Sequence, residues 1–116
     1  MEEIFVEQLK KSYNTIDLIQ IAKKERIHIR YYEVCQDVQA ITTEENGHRY
    51  ILVNLILPPH EQQEYIKKGV LAHLLYPNRP ILFTEQKKLH FLNNVYLILQ
   101  SALDTSYTYD ENPVHF

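Results

Sequence analysis

Six histidines and one cysteine are the residues of this chain best suited to bind a metal or act as a nucleophile. A helical zinc site needs two ligands one turn apart, so that both side chains reach the same ion. Only His60 has such a neighbour, Glu64, and this pair opens a predicted helix, where a carboxylate suits the positive end of the helix dipole. The sequence therefore predicts no metal site and no other cofactor.

The single cysteine, Cys35, follows a predicted strand. A nucleophilic thiol needs a base and an electropositive setting, and nothing in the pattern fixes His28 or another base beside it. The chain also lacks the G-x-S-x-G turn of many serine hydrolases. We expect Cys35 to be a packed structural thiol and the chain to contain no catalytic residue.

The composition is that of one folded domain. The 116 residues are 45% hydrophobic and 23% charged, values typical of a globular protein with a real core. The formal net charge is -3, and the lysines and arginines form no stripe that could neutralise a phosphate backbone. We therefore expect no direct contact with nucleic acid.

The cysteine count and the apolar runs bear on the cellular location. One cysteine excludes an internal disulfide, and the acidic start Met1-Glu2-Glu3 lacks the basic and apolar regions of a signal peptide. The longest apolar run, residues 50–59, is too short to span a bilayer. These features predict a cytoplasmic protein that does not contact a membrane.

Hydrophobic periodicity and turn signals predict the elements that hold these residues. Asn14 or Thr15 is a suitable N-cap for the second helix, and Asn46-Gly47 is the strongest available signal for a hairpin turn. The pattern indicates an α+β fold, in which a small antiparallel three-stranded sheet packs against three to four helices. We expect one domain over residues 1–104 and an irregular aromatic tail over residues 105–116. The predicted helices cover residues 2–11, about 15–25, about 61–76 and 86–103, the strands cover residues 27–34, 38–42 and 50–55, and a brief extended segment covers residues 81–83.

The strands differ in their patterns. Ile27, Ile29 and Tyr31 alternate with polar residues, which predicts a strand with one buried face. Residues 50–55 are apolar on both faces, which predicts a central or well-covered strand. Several tyrosines outside the tail also lie on predicted apolar faces and should belong to the core. Those expected in the core include Tyr31, Tyr50, Tyr65 and Tyr96.

The stretch from Tyr50 to Pro77 carries a resemblance to a known family. A hydrophobic strand containing Val53-Asn54 leads through a short loop to a helix that reads Ala-His-Leu-Leu-Tyr-Pro over residues 72–77. This order resembles the core of the ImmA/IrrE family of zinc metallopeptidase-like proteins, whose active-site helix carries A-H-E-L-G-H. The resemblance extends over most of residues 14–103 and implies a zincin-like fold.

The departures from the family motif concern its chemistry. His73 occupies the first ligand position, but Leu74 stands where the family has its catalytic glutamate, and Pro77 stands at the second histidine. The third ligand would fall near Phe91 or Leu92, neither of which binds zinc. The resemblance therefore implies a pseudoenzyme that keeps His73 as the remnant of a lost metal motif.

The family context also implies a partner. Active members act on repressors with helix-turn-helix domains in phages and other mobile elements, so a scaffold without chemistry would bind such a repressor and act as a non-enzymatic regulator of transcription, an antirepressor. We expect docking at the sheet edge near Ile81 and Phe83 or at the hairpin around residues 44–50, with Tyr107 and Tyr109 of the tail contributing. The alternatives are a hydrolase of unknown class that uses Cys35 or the surface rich in histidine and tyrosine, and a small structural protein that self-associates through its aromatic tail.

Overall fold

The computed structural model of the 116-residue chain describes residues 1–33, 35 and 37–114, with side chains as far as residue 103. Helices and strands follow one another in an order that confirms the predicted α+β class. The elements are α1 (Glu2–Tyr13), α2 (Leu18–Lys24), β1 (His28–Tyr32), β2 (Val38–Glu45), β3 (His48–Asn54), α3 (Pro59–Leu75), β4 (Ile81–Thr84) and α4 (His90–Val114).

The first two helices are bounded by short polar residues. Helix α1 ends at Asn14, whose φ of 56° places it in the left-handed region that asparagine tolerates. Helix α2 is capped by Asp17, whose carboxylate accepts a hydrogen bond from the amide of Ile19 at 3.0 Å. The prediction that Asn14 or Thr15 caps this helix is therefore wrong, because Asn14 closes the preceding helix and Thr15 lies in the linker.

The sheet has four strands in the order β1-β3-β2-β4. Strands β2 and β3 form the predicted hairpin, and its turn has positive φ at both central residues, 52° at Asn46 and 81° at Gly47. Strand β1 pairs with β3 in parallel, while β4 pairs antiparallel with β2. The prediction of three antiparallel strands is therefore wrong, and the sheet is mixed.

Two physical reasons explain this difference. A parallel pair such as β1 and β3 leaves no local signal, because the strands are joined through a crossover rather than a tight turn. Strand β4 has only four residues, too few for its period to distinguish a strand from an extended loop.

Helix α3 lies close against the sheet. Gly69 allows this approach, because a Cβ atom at that position would come within 2.8 Å of the Cγ2 atom of Ile51 on β3. The side chains of Ile51 and Val53 are fully buried beneath the helices. One face of the sheet therefore carries the hydrophobic core, and we call it the helix face.

Helix α4 is longer than the predicted helix over residues 86–103. It extends from His90 to Val114, over most of the segment predicted as an irregular tail. No glycine or proline occurs between His90 and Asn112, so the sequence contains no residue that would end the helix earlier. The side chains of Tyr107 and Tyr109 lie outside the described residues. Within the described part of the chain, no helix is long and apolar enough to cross a membrane.

Candidate functional site

His73, which the sequence predicts to be the remnant of a lost metal motif, lies on the helix face with only 6% of its surface exposed. Its Nε2 atom is 2.9 Å from the carbonyl oxygen of Tyr50 on β3. A carbonyl can only accept, so Nε2 carries a proton and donates this hydrogen bond. Burial lowers the pKa of His73, an effect that the hydrogen bond to Tyr50 partly opposes. The ring is therefore a neutral group bound to the sheet, as its position beside Ile66 and Val70 predicts.

The neighbouring motif positions lie apart from one another. Helix α3 ends at Leu75, so Pro77 is beyond the helix and off the face that carries His73. Leu92, which stands near the third ligand position, is fully buried in the core. Among the residues that the structure describes, no group of three or more His, Cys, Asp or Glu side chains is placed to hold a metal ion.

A small cavity adjoins the ring of His73. It measures about 190 Å³ and lies between the end of α3 and the β2–β3 hairpin. Glu44 and Arg79 bring opposite charges to its wall, so the cavity contains no concentrated field of one sign. The lining residues are Thr43, Glu44, His73, Asn78, Arg79 and Pro80.

The residues predicted to receive a partner on β4 belong mainly to the core. Ile81 and Phe83 are buried, and the ring of Phe83 meets the ring of Tyr65 edge-on at 5.9 Å. Any contact that these two residues make with a partner must therefore use their main chain. Strand β4 does lie at an edge of the sheet, and Leu82 between them is exposed.

The β2–β3 hairpin extends past its neighbours. Strand β4 pairs with β2 no farther than Thr42, and β1 begins its pairing with β3 at Tyr50. The intervening residues 43–49 therefore have hydrogen-bonding groups on both outer sides without a neighbouring strand. This is the hairpin edge that the sequence predicts as a docking position.

The second face of the sheet is open to solvent, a feature that the sequence patterns miss. Residues that alternate with the buried positions of β1, β2 and β3 form this surface, which we call the open face. A groove of about 550 Å³ runs across it. The groove is lined by Arg30, Tyr32, Glu33, Thr43, Glu45, Tyr50 and Leu52.

Aromatic side chains cluster on the open face where β1 and β3 begin. The ring of His28 stacks on that of Tyr50 at 5.1 Å and meets His48 edge-on at 5.5 Å. The guanidinium of Arg30 lies 5.9 Å from the centre of the Tyr50 ring, within the range of a cation–π contact. These three rings and the guanidinium of Arg30 thus form a packed surface that a partner can cover.

The predictions of burial on β1 and β3 are only partly confirmed. The prediction that residues 50–55 form a central or well-covered strand is confirmed in its first form, since β3 lies between β1 and β2. Tyr50, expected in the core, and Leu52 are only partly buried, because the helices pack on the other face. Tyr31 was expected in the core, yet it is 45% exposed, since β1 is the outermost strand. Tyr65 and Tyr96 do pack against the core as predicted.

Cys35 is exposed, so the prediction of a packed thiol is wrong. It lies between β1 and β2, close to the buried side-chain amide of Asn54. The Nδ2 atom of Asn54 donates to the carbonyl oxygens of Val38 at 2.8 Å and Cys35 at 3.3 Å. The end of β3 is therefore bonded to the main chain of Cys35 and to the start of β2.

No family model, curated protein or solved structure matches this chain.

Proposed function

We propose that this chain is a non-catalytic regulator that binds another protein and is built on a zincin-like, ImmA/IrrE-like scaffold. The observation that carries the proposal is the use of His73. Its Nε2 atom, which would face a metal in an active site, donates instead to the carbonyl of Tyr50. With Pro77 beyond the end of α3, the helix presents one histidine bound to the sheet and no second ligand one turn away.

The partner that we propose is a helix-turn-helix repressor of a phage or other mobile element, bound on the open face. Tyr32 and Leu52 supply apolar area there, and tyrosine is a favoured residue at protein interfaces. DNA-binding domains are basic, whereas this chain has a net charge of -3 and places Glu33 and Glu45 along the groove. The opposite charges favour encounter of the two proteins.

The same charges disfavour direct binding of nucleic acid. Exposed aromatic rings on a sheet are also used to stack single-stranded bases. Such surfaces need a basic groove along the phosphate backbone. Here Arg30 is accompanied by the carboxylates of Glu33 and Glu45 in one groove, which would repel phosphates.

The loss of metal chemistry is tested by metal analysis. We expect protein purified without chelators to contain no stoichiometric zinc and to cleave no co-purified repressor. One tightly held zinc ion per chain, or cleavage of the repressor that depends on His73, would contradict the proposal.

Partner binding is tested by isothermal titration with the purified helix-turn-helix repressor encoded nearest to the gene for this chain. We expect Leu52→Asp on the open face to weaken binding by at least about tenfold, the effect of losing roughly 1.4 kcal/mol. The matched control is Leu97→Asp on α4, an exposed leucine away from the sheet, which should bind as the parent does. Equal affinities for both variants, or no binding by the parent, would overturn the proposal.

A further inference from the structure

Strand β1 forms an unpaired edge of the sheet. Its only strand partner in the described part of the chain is β3. The amide of Leu55 donates to the carbonyl of Tyr32 at 2.9 Å, so Tyr32 directs its main-chain groups toward β3. Because these groups alternate along a strand, those of Arg30 face β3 as well, and those of Ile29 and Tyr31 face outward.

The two edges of the sheet are protected to different degrees. Natural sheets protect their edges with short strands, bulges, prolines and lysines. Strand β4 has several of these features, since it is four residues long, follows Pro80, and pairs with β2 through an irregular register at Val38 and Ala40. Strand β1 pairs regularly over five residues and contains neither proline nor lysine. Its edge is therefore the one suited to receive another strand.

The exposed side chains of β1 are large. Tyr31 is 45% and Tyr32 is 52% exposed, although an aromatic side chain gains by being covered. Arg30 donates from its NH1 atom to the outward carbonyl of Ile29 at 3.1 Å. This contact satisfies one main-chain group that would otherwise meet only water.

We propose that the occupant of this edge is a second copy of the chain, whose β1 pairs antiparallel with the first about a two-fold axis at Tyr31. The two Tyr31 residues then lie opposite each other, and Ile29 lies opposite Glu33. The Tyr31 pair joins two outward-facing residues, which exchange two main-chain hydrogen bonds, and the outward main-chain groups of Ile29 also point toward the second copy. The result is a continuous sheet in which the open faces of both copies lie on the same side.

The chemistry of the side chains selects this register. Centring the axis on Tyr31 places Arg30 opposite Tyr32 of the second copy, and the reverse, in the pairs where side chains approach most closely. The guanidinium then lies beside an exposed aromatic ring, a favourable cation–π arrangement. Centring the axis on Arg30 instead opposes two like charges, which is unfavourable.

The self-association should be weak. Covering two half-exposed tyrosines on each copy removes roughly 100 Å² per ring, so the total remains below the ~1,200 Å² of a stable interface. We expect a dissociation constant on the order of tens of micromolar, because so small an interface is typical of transient contacts. The chain is therefore monomeric when dilute and dimeric when concentrated.

Sedimentation velocity of the full chain from about 5 to 500 µM, a span on both sides of that range, tests the proposal. We expect the parent to shift from monomer to dimer. Tyr31→Pro removes an outward amide without removing a bond to β3, so it should remain monomeric throughout. Leu82→Lys, a substitution of an exposed side chain on the other edge strand, is the matched control and should dimerise as the parent does.

An exchange of two residues tests the register. Tyr32→Arg alone opposes two arginines across the axis and should abolish the dimer. Adding Arg30→Tyr restores an arginine–tyrosine pair in the reverse order, so the double variant should dimerise again. Circular dichroism of each variant establishes that it is folded, and Tyr31→Lys replaces Tyr31→Pro if the proline variant is not.

A parent that is monomeric at every concentration would overturn the proposal. A dimer that persists in the folded Tyr31 and Tyr32→Arg variants would also overturn it, since the contact would then use another surface. A folded double variant that stays monomeric would contradict the register.

Discussion

The two faces of the sheet are formed by the same strands, but different interactions determine which side chains each face carries. On β3, the helix face carries Ile51 and Val53, both fully buried, whereas the open face carries Tyr50 and Leu52, both partly exposed. Packing requires apolar residues on the first face. No packing within the chain requires an aromatic cluster on the second. Large side chains that the fold does not need are the usual mark of a binding surface.

Polar contacts also stabilise the helix face, whereas the side-chain contacts on the open face mainly involve aromatic rings. Arg49 donates to a carboxylate oxygen of Glu25 at 2.8 Å, and the hydroxyl of Tyr13 donates to the other oxygen at 2.9 Å. These bonds connect α1 and the end of α2 to β3. The contrast between the faces predicts that substitutions on the helix face change stability and those on the open face change binding.

The largest expected effect comes from two neighbouring residues of β3. Val53→Asp buries an unpaired carboxylate in the core and should cost more than about 4 kcal/mol of unfolding free energy. Leu52→Asp, one residue earlier but on the open face, should cost about 1 kcal/mol or less. Urea denaturation monitored by circular dichroism measures both. Similar losses for the two variants would contradict the difference between the faces.

Gly69→Val tests the close approach of α3 to the helix face. The added side chain would collide with Ile51, and such overpacking costs typically about 1–3 kcal/mol. Unfolding in urea gives the value. The same Gly69→Val change in an Ile51→Val background should cost less, because valine lacks the Cδ1 atom that lies 2.9 Å from the added Cβ. If the Ile51→Val background recovers none of the lost stability, the steric conflict at position 69 involves a side chain other than Ile51.

The Glu25–Arg49 pair should contribute less. Arg49→Met leaves the half-buried carboxylate of Glu25 without its cation, which should cost about 1–2 kcal/mol. Lys10→Met removes an exposed partner of Glu7 and should change the stability by less than about 0.5 kcal/mol. A thermal denaturation series compares them. Equal effects would show that Glu25 and Arg49 are no more than a surface pair.

The smallest expected effect is the pH dependence of stability that His73 causes. Its pKa in the folded chain lies below the ordinary value of 6.5, so the unfolded chain binds a proton more readily. Acidification through pH 6.5 must then favour unfolding. Arg49 lowers the pKa of His73 further, and Glu44 opposes this.

Thermal denaturation between about pH 7.5 and 5.5, where histidine titrates, measures this effect. We expect Tm of the parent to fall over this range more steeply than Tm of His73→Gln, which has no group to protonate at that position. Parallel curves for the two proteins would show that His73 is not the source of the slope.

Local signals in the sequence predict much of the helix face. The order of the elements, the Asn46-Gly47 turn and the burial of His73 are confirmed, because each depends on residues near one another in sequence. The parallel pairing of β1 with β3 could not be predicted in this way. It joins His28 to Tyr50 across a hairpin and a loop, and no short pattern reports such a contact.

The open face could be predicted only in part. The alternation in residues 27–34 indicates a strand with one polar side, and Arg30 is exposed as that pattern predicts. Residues 50–55 give the opposite indication, because Tyr50 and Leu52 are as apolar as the core residues beside them. The residue type shows that a side chain is apolar enough to be buried, whereas the position of the helices determines whether it is buried.

The position of β3 between β1 and β2 has a consequence for the order of folding. The β2–β3 hairpin closes through a two-residue turn, so it can form early, whereas β1 must wait for β3 before it has a partner. Hydrogen exchange should follow the same order, with slow exchange in β3 and fast exchange at the outward amides of Ile29 and Tyr31. Strand β1 keeps one free edge after it has paired with β3, so its outward amides record each time the sheet gains or loses a neighbour on that side.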